Sequence, residues 1–483
     1  MKWTVRIALL LVLSAHLLLG YSHNFLVGPD DDRLWLYTSA ISLGRGADLR
    51  QLNDRVQDSI VRLDRPENQR VRFALRESYD GNYVGAAAVH HAAAAAVARS
   101  LSDLRALDYP AYLARAMYVS FVAMYLVACL VLILIVAGVR NARWLIAAAL
   151  AVAATGLMES LFDLTGDTWS GLPTLLPDAQ TRETYFQNLW PNLPALFLNP
   201  QIQLSPFGDT PRNHFILMMI PLFLLRWSGR FTGSYLFLAL LGFLHQSHTG
   251  LVLAYLVAVD AALRPSIFRG WTSLVIAVVL AMFAGRESLG SVIGATRPIV
   301  VISATVAVFI VAACIYWGLR SRMARAFAPL ARVRDRLLAR GAPFADLAMI
   351  GVILAVSFPI VAVINALGTE AQSLYFWTQV HGRSLGIFRP ALMLALGVLA
   401  VTRLERGRDE RALAARVVML TALALLPGLV EALGHDRHPI ARIETGARAL
   451  EASVGPAIDW HSIAARPEPE IYYAIARTLD TGR

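Results

Sequence analysis

Long apolar runs separated by short polar ones occupy most of the chain. They extend from about Ile7 to Gly20, Ala116 to Gly138, Trp144 to Phe162, His214 to Leu225, Phe231 to Leu244 and Gly250 to Leu263. Others follow from Trp271 to Ala284, Pro298 to Leu319, Phe344 to Leu367, Ile387 to Val401 and Leu413 to Leu433. An α-helix needs roughly 20 such residues to cross a bilayer core. The pattern therefore predicts an all-α polytopic membrane protein with about 11 transmembrane helices. The shorter runs either recruit flanking residues or form re-entrant or broken helices.

Composition agrees. Of 483 residues 57% are hydrophobic and 16% charged, against roughly 45–50% and about 25% in soluble domains, and the mean hydropathy is +0.53. An ordinary soluble enzyme is excluded on these grounds. The net charge of +10 raises nucleic acid as a partner, but the arginines fall between apolar runs, where they set topology, and no nucleic acid is expected.

Lys2 and Arg6 precede the first run, and no small-x-small pattern follows it before Asn24, so it reads as an uncleaved first span with a cytoplasmic N-terminus. Every second connection is then basic: Arg140 and Arg143, Arg226 and Arg230, Arg264 and Arg269, the segment from Arg320 to Arg340, and the segment from Arg403 to Arg416. Segment 320–340 reads as a basic amphipathic helix with Val333 and Leu337 on one side, suited to anionic headgroups.

The opposite face receives the loops 21–115 and 163–213 and a tail over 434–483. The organisation expected is a transmembrane domain over 1–433 and a short extracytoplasmic tail, in which Ile471, Tyr472, Ile475 and Leu479 share one helix face. Cys129 and Cys314 both lie in apolar runs and supply no disulfide framework. Lys2 is the only lysine, so no phosphate-binding loop with its lysine exists and a nucleotide-driven pump is disfavoured. An arginine-dominated chain fits a GC-rich bacterial genome and hence a multi-pass protein of the bacterial inner membrane.

Function carried by ordered loops belongs on the outer face. The first outer loop opens Gly28-Pro29-Asp30-Asp31-Asp32-Arg33, and Leu34, Tyr37 and Ile41 follow at helical spacing, as in an amphipathic helix lying at the interface. One aspartate would cap that helix. Three exceed a cap's needs and suit either a divalent cation such as Mg2+ or Mn2+ or deprotonation of a hydroxyl.

These residues resemble the first loop of membrane glycosyltransferases of the GT-C class, where an acidic pair follows the first span and Ala, Leu and Gly recur along the next helix. Asp31-Asp32, Ala40, Leu43 and Gly46 occupy those places, within the first fifty residues, although Asp30 blurs the register and Arg33 stands where an apolar residue is more usual. The resemblance implies a transferase with a polyprenyl-phosphate-linked sugar donor, a glycan, lipid or protein acceptor, and Asp31 or Asp32 as general base.

Other charged residues sit at outer helix ends. Glu159 lies inside a run with Asp163 one turn on, and a carboxylate at membrane depth faces either a cavity or a partner. Arg212, His214, His245, His248, His381, Arg383 and Arg389 mark these ends, and the arginines run against the positive-inside bias. Arginine suits a phosphate oxygen bidentately and histidine adds a second donor; the alternative is anchorage to the interface. His245 and His248, three apart, also have a spacing compatible with metal binding, though hydrogen-bonded histidines near a helix end are commoner. His90 and His91 lie on an Ala-rich helix over about 84–99 and read as structural or surface residues. Two other functions remain open: an O-antigen-type polymerase or ligase, dependent on Arg212, Arg383 or His381, and a transporter or flippase of a lipid-linked substrate.

Overall fold

The computed structural model describes residues 7–15, 31–60, 70–71, 74–75, 84–100, 107–139, 142–164, 211–242, 244–268, 272–273, 275–276, 328–367, 384–404, 410–423, 426 and 439–481. Every regular element among the described residues is a helix. After a helix over 7–15 come α1 (Asp31–Gly44), α2 (Gly46–Ile60), α3 (Val84–Ser100), α4 (Tyr109–Gly138), α5 (Ala142–Leu164), α6 (Pro211–Leu217), α7 (Met219–Trp227), α8 (Phe231–Leu241) and α9 (Gln246–Leu263). They are followed by α10 (Ala328–Ala339), α11 (Ala342–Leu367), α12 (Ser384–Leu404), α13 (Glu410–Leu423), α14 (Pro439–Val454), α15 (Trp460–Ala464) and α16 (Glu468–Thr481).

Two of these are long and apolar enough to cross a membrane, over Tyr109–Gly138 and Gly386–Arg403; the apolar helices over Arg143–Ala154, His214–Trp227, Phe231–Leu241, His248–Leu263 and Ala342–Val356 are shorter. The run at 214–225 is divided between α6 and α7, which meet at Met218. The runs at 298–319 and, apart from four residues, 271–284 lie outside the described residues.

The chain forms two compact units. In one, α5 and α12 pack together, α7 packs on α5, α8 and α12, and α9 packs on α8 and α11. The approach of α12 to α5 is close enough that a Cβ on Gly397 would stand 2.8 Å from the carbonyl oxygen of Ala147. Apolar side chains also cover much of the outside: Leu236 and Leu240 on α8, Val352 and Val356 on α11, Leu396 and Leu399 on α12, and Met419, Leu420 and Leu423 on α13 are all exposed. Most of these pairs are spaced three or four apart, so each helix carries an apolar stripe away from the core. Such stripes suit a hydrocarbon solvent. On α10, Val333 is exposed among arginines.

In the other unit α1 is the central element, packed on α2, α3 and α16; α16 packs also on α14 and α15, and α15 on α2. Gly455 ends α14 with a φ of 80°, a left-handed conformation that glycine adopts without steric cost. Asp459 caps α15, its Oδ1 accepting the His461 N–H at 3.1 Å.

Candidate functional site

Asp31 and Asp32 are the first two residues of α1, where carboxylates complement the helix dipole. Asp30 lies outside the described residues. The expected apolar face is present, since Leu34, Tyr37 and Ile41 are buried, but so are Leu36, Ser39 and Ala40. The interfacial amphipathic helix expected from the sequence is therefore corrected to a core helix enclosed on most sides. Two of its buried hydroxyls turn back on their own helix: Thr38 Oγ1 donates to the Trp35 carbonyl at 2.8 Å and Ser42 Oγ to that of Ser39 at 2.9 Å. The glycine that packing requires is also displaced. A Cβ on Gly46 would meet nothing within 4 Å, whereas one on Gly44 would collide with the His91 ring.

The C-terminal tail holds α1 from a second side. Ile471, Tyr472, Ile475 and Leu479 are all buried, but so are the residues between them, and the single apolar face expected is enclosed on all sides. At the end of α16 the Asp480 carboxylate accepts hydrogen bonds from the Tyr37 hydroxyl at 3.1 Å and the Tyr109 hydroxyl at 3.2 Å. Arg45, just past α1, donates to the Leu479 carbonyl. Behind them Glu451 of α14 accepts from the Tyr473 hydroxyl at 2.7 Å and pairs with Arg477 at 2.8 Å. Burial pushes the Asp480 carboxyl up to about 6, against the hydrogen bonds from Tyr37 and Tyr109 and the charge of Arg45. None of these partners was legible in the sequence, because Tyr37 and Asp480 are 443 residues apart.

The histidines fall into two groups. In the unit built on α1, His214 of α6 is fully buried, and among the described residues neither of its ring nitrogens has a hydrogen-bond partner. The Tyr125 ring lies 5.8 Å away. His90 is fully buried on α3, its Nε2 3.1 Å from the Met124 sulfur, and burial pushes its imidazole down to about 3, aided by His214. It is thus a neutral structural residue.

In the other unit His245 caps α9. Its Nδ1 accepts the His248 backbone N–H at 3.4 Å and lies 3.0 Å from His248 Nδ1. Accepting through Nδ1 places the proton of His245 on Nε2 and makes His248 Nδ1 the donor. Phe215 lies edge-on to both rings. The pair forms a helix-end hydrogen-bonded unit. Among the described residues no group of three or more His, Cys, Asp or Glu side chains gathers in the manner of a metal site.

Arg212 belongs to α6 and Glu159 to α5, and Arg389 is buried in α12. His381 and Arg383 lie outside the described residues.

Sequence reasoning missed an ion-pair network in the same unit as α9. Arg226, read as a topological signal, is fully buried at the end of α7. Its Nη1 donates to Asp260 at 2.8 Å and its Nε to Asp346 at 2.7 Å, while Nη2 also pairs with Asp260. Arg264 Nη1 reaches Asp346 at 2.6 Å, Trp227 Nε1 reaches it at 3.1 Å, and the Tyr235 hydroxyl bonds Asp260 at 2.7 Å. Two arginines and two aspartates cancel, which is the condition for burying charge. Asp260 and Asp346, each near a basic connection, were the available signal.

No protein-family model, curated protein or solved structure matches the chain.

Proposed function

We propose that the chain is a membrane glycosyltransferase of the GT-C kind, a multi-pass protein of the bacterial inner membrane with about 11 spans, a cytoplasmic N-terminus and its site on the extracytoplasmic face. It moves a sugar from a polyprenyl-phosphate donor to a glycan, lipid or protein acceptor. Asp31 or Asp32 takes the proton from an acceptor hydroxyl. The acceptor oxygen attacks the anomeric carbon as the bond to the lipid phosphate breaks, and Arg212, Arg383 or a divalent cation stabilises the departing phosphate.

The observation that supports this reading is the acidic pair at the first two positions of a helix enclosed by α3 and α16. A general base has to be held within a fraction of an ångström of its substrate, and a core helix is a better mount for one than a mobile loop.

The test compares Asp31→Asn and Asp32→Asn with wild type in membranes supplied with a radiolabelled polyprenyl-phosphate sugar. Loss of the base is expected to slow transfer by about 100-fold or more in at least one variant while both still insert. Full activity in both would overturn the assignment and leave an O-antigen-type ligase acting through Arg212 and Arg383. Passage of intact lipid-linked sugar across proteoliposomes without a covalent product would instead indicate a flippase.

A further inference from the structure

The residues that would carry transfer lie near the start of the chain, yet the helix that presents them is gripped by its end. Tyr37 stands six residues after Asp31, about 9 Å along α1, and donates to Asp480. The same Asp480 oxygen accepts from Tyr109 at the start of α4, so one carboxylate of α16 ties two other helices together. Arg45 ties the far end of α1 to the adjacent carbonyl of Leu479. Ahead of these ties α16 buries Ile471 and Ile475.

We propose that Asp480 is a positioning residue: through Tyr37 it fixes α1 to the C-terminal helix and so holds the Asp31–Asp32 end of α1 in place. The catalytic consequence rests on the transferase reading; the mechanical one does not. The grip also has a built-in pH dependence. Asp480 lies in the last turn of α16, at the negative end of the helix dipole, and is half-buried. Facing it are Tyr37 from α1, Arg45 beyond α1, and Tyr109 and Tyr112 from α4. From α14, Glu451 is engaged further back by Tyr473 and Arg477. The buried residues of α2 and α15 include the apolar Leu49, Leu52, Val56 and Ile463.

Burial raises the Asp480 carboxyl from 3.8 to about 6. A raised acid stabilises docking fully below its ordinary value, and that contribution is lost as pH rises through the folded one. The grip is therefore tightest in acid and loosens between about pH 4 and pH 6.

Hydrogen exchange on the full-length protein in detergent tests this, read as protection factors for α1 relative to α5 and α12. Asp480→Ala is expected to lower α1 protection about tenfold at pH 5. Asp480→Asn, which keeps an acceptor for the tyrosines and carries no charge, is expected to retain protection and to abolish its fall between pH 4 and pH 6.5. If Asp480→Ala does not fold, Tyr37→Phe, which removes one donor, is expected to lower α1 protection about threefold. Unchanged α1 protection in Asp480→Ala or Tyr37→Phe, or a pH step that persists in Asp480→Asn, overturns the proposal.

In the transfer assay kcat is expected to fall in Asp480→Ala with KM held, and to recover in Asp480→Asn. A wild-type protein that transfers no sugar removes the transferase reading and leaves the exchange result standing. Active protein whose kcat is unchanged while α1 loosens removes the positioning role.

Discussion

The helices α7 to α13 and the C-terminal helices α14 to α16 treat charge differently. Around α7 to α13, Leu240 is 63% exposed and Met419 58%, while Arg226, Asp260 and Asp346 are fully buried. Around α14 to α16 the ion pairs reach the surface: Arg448 and Asp108, 2.6 Å apart, are each half-exposed, and buried Arg477 pairs at 2.8 Å with Glu451, which is partly exposed. A helix in water turns its apolar stripe inward. A helix in lipid has no reason to, and its few ionic groups find each other inside instead. The exposed apolar stripes of α8 to α13 suit a hydrocarbon solvent, as do the length and apolarity of Tyr109–Gly138 and Gly386–Arg403.

The sharpest way to break this comparison is to unbalance the buried network. Arg226→Ala leaves two buried carboxylates to the partly exposed Arg264, and a loss of about 3–5 kcal/mol is expected, measured by thermal unfolding in detergent. Arg226→Met combined with Asp260→Leu should recover most of that loss, because a neutral apolar pair carries no desolvation cost. If the double variant is as unstable as the single one, the network is doing more than cancelling charge. Next comes Gly397→Ala, whose Cβ would press on the Ala147 carbonyl; about 1–3 kcal/mol of destabilisation is expected.

In the other unit the effects are smaller. Tyr473→Phe removes one hydroxyl from Glu451 and should cost about 0.5–1.5 kcal/mol. Arg448→Ala, at an exposed pair, should leave the unfolding midpoint unchanged within error. If Arg448→Ala proved as damaging as Arg226→Ala, exposure would not separate the two ion pairs as their surroundings imply.

Much of this was legible from local pattern. Period and length located α5, α8, α9, α11 and α12 to within a few residues of their apolar runs, and α4 apart from its first two turns, because a buried or lipid-facing helix needs uniform apolarity. Spacing found Ile471, Ile475 and Leu479 of α16 but not the burial of the residues between them, which encloses that helix on all sides. The environment of α1 was not legible. Thr38 and Ser42 look like a polar face in a string of letters, and only their bonds back to the helix show that they can be buried. Arg226 was misjudged for a related reason: an arginine beside an apolar run is ordinarily a topological marker, and its partner Asp346 lies 120 residues on. Of the site, the acidic pair could be found from its neighbours in sequence; Asp480, which braces the helix that bears it, could not.

The spacing of the buried network also bears on how the protein is made. Arg226 meets Asp260 after 34 further residues but Asp346 only after 120. At ordinary ribosomal rates of about 5–20 residues per second, the second carboxylate emerges on the order of ten seconds after the arginine. During that interval Arg226 and Arg264 share one aspartate. Until α11 is made, one of the network's two positive charges lacks its carboxylate, so the neutral arrangement is completed only by α11.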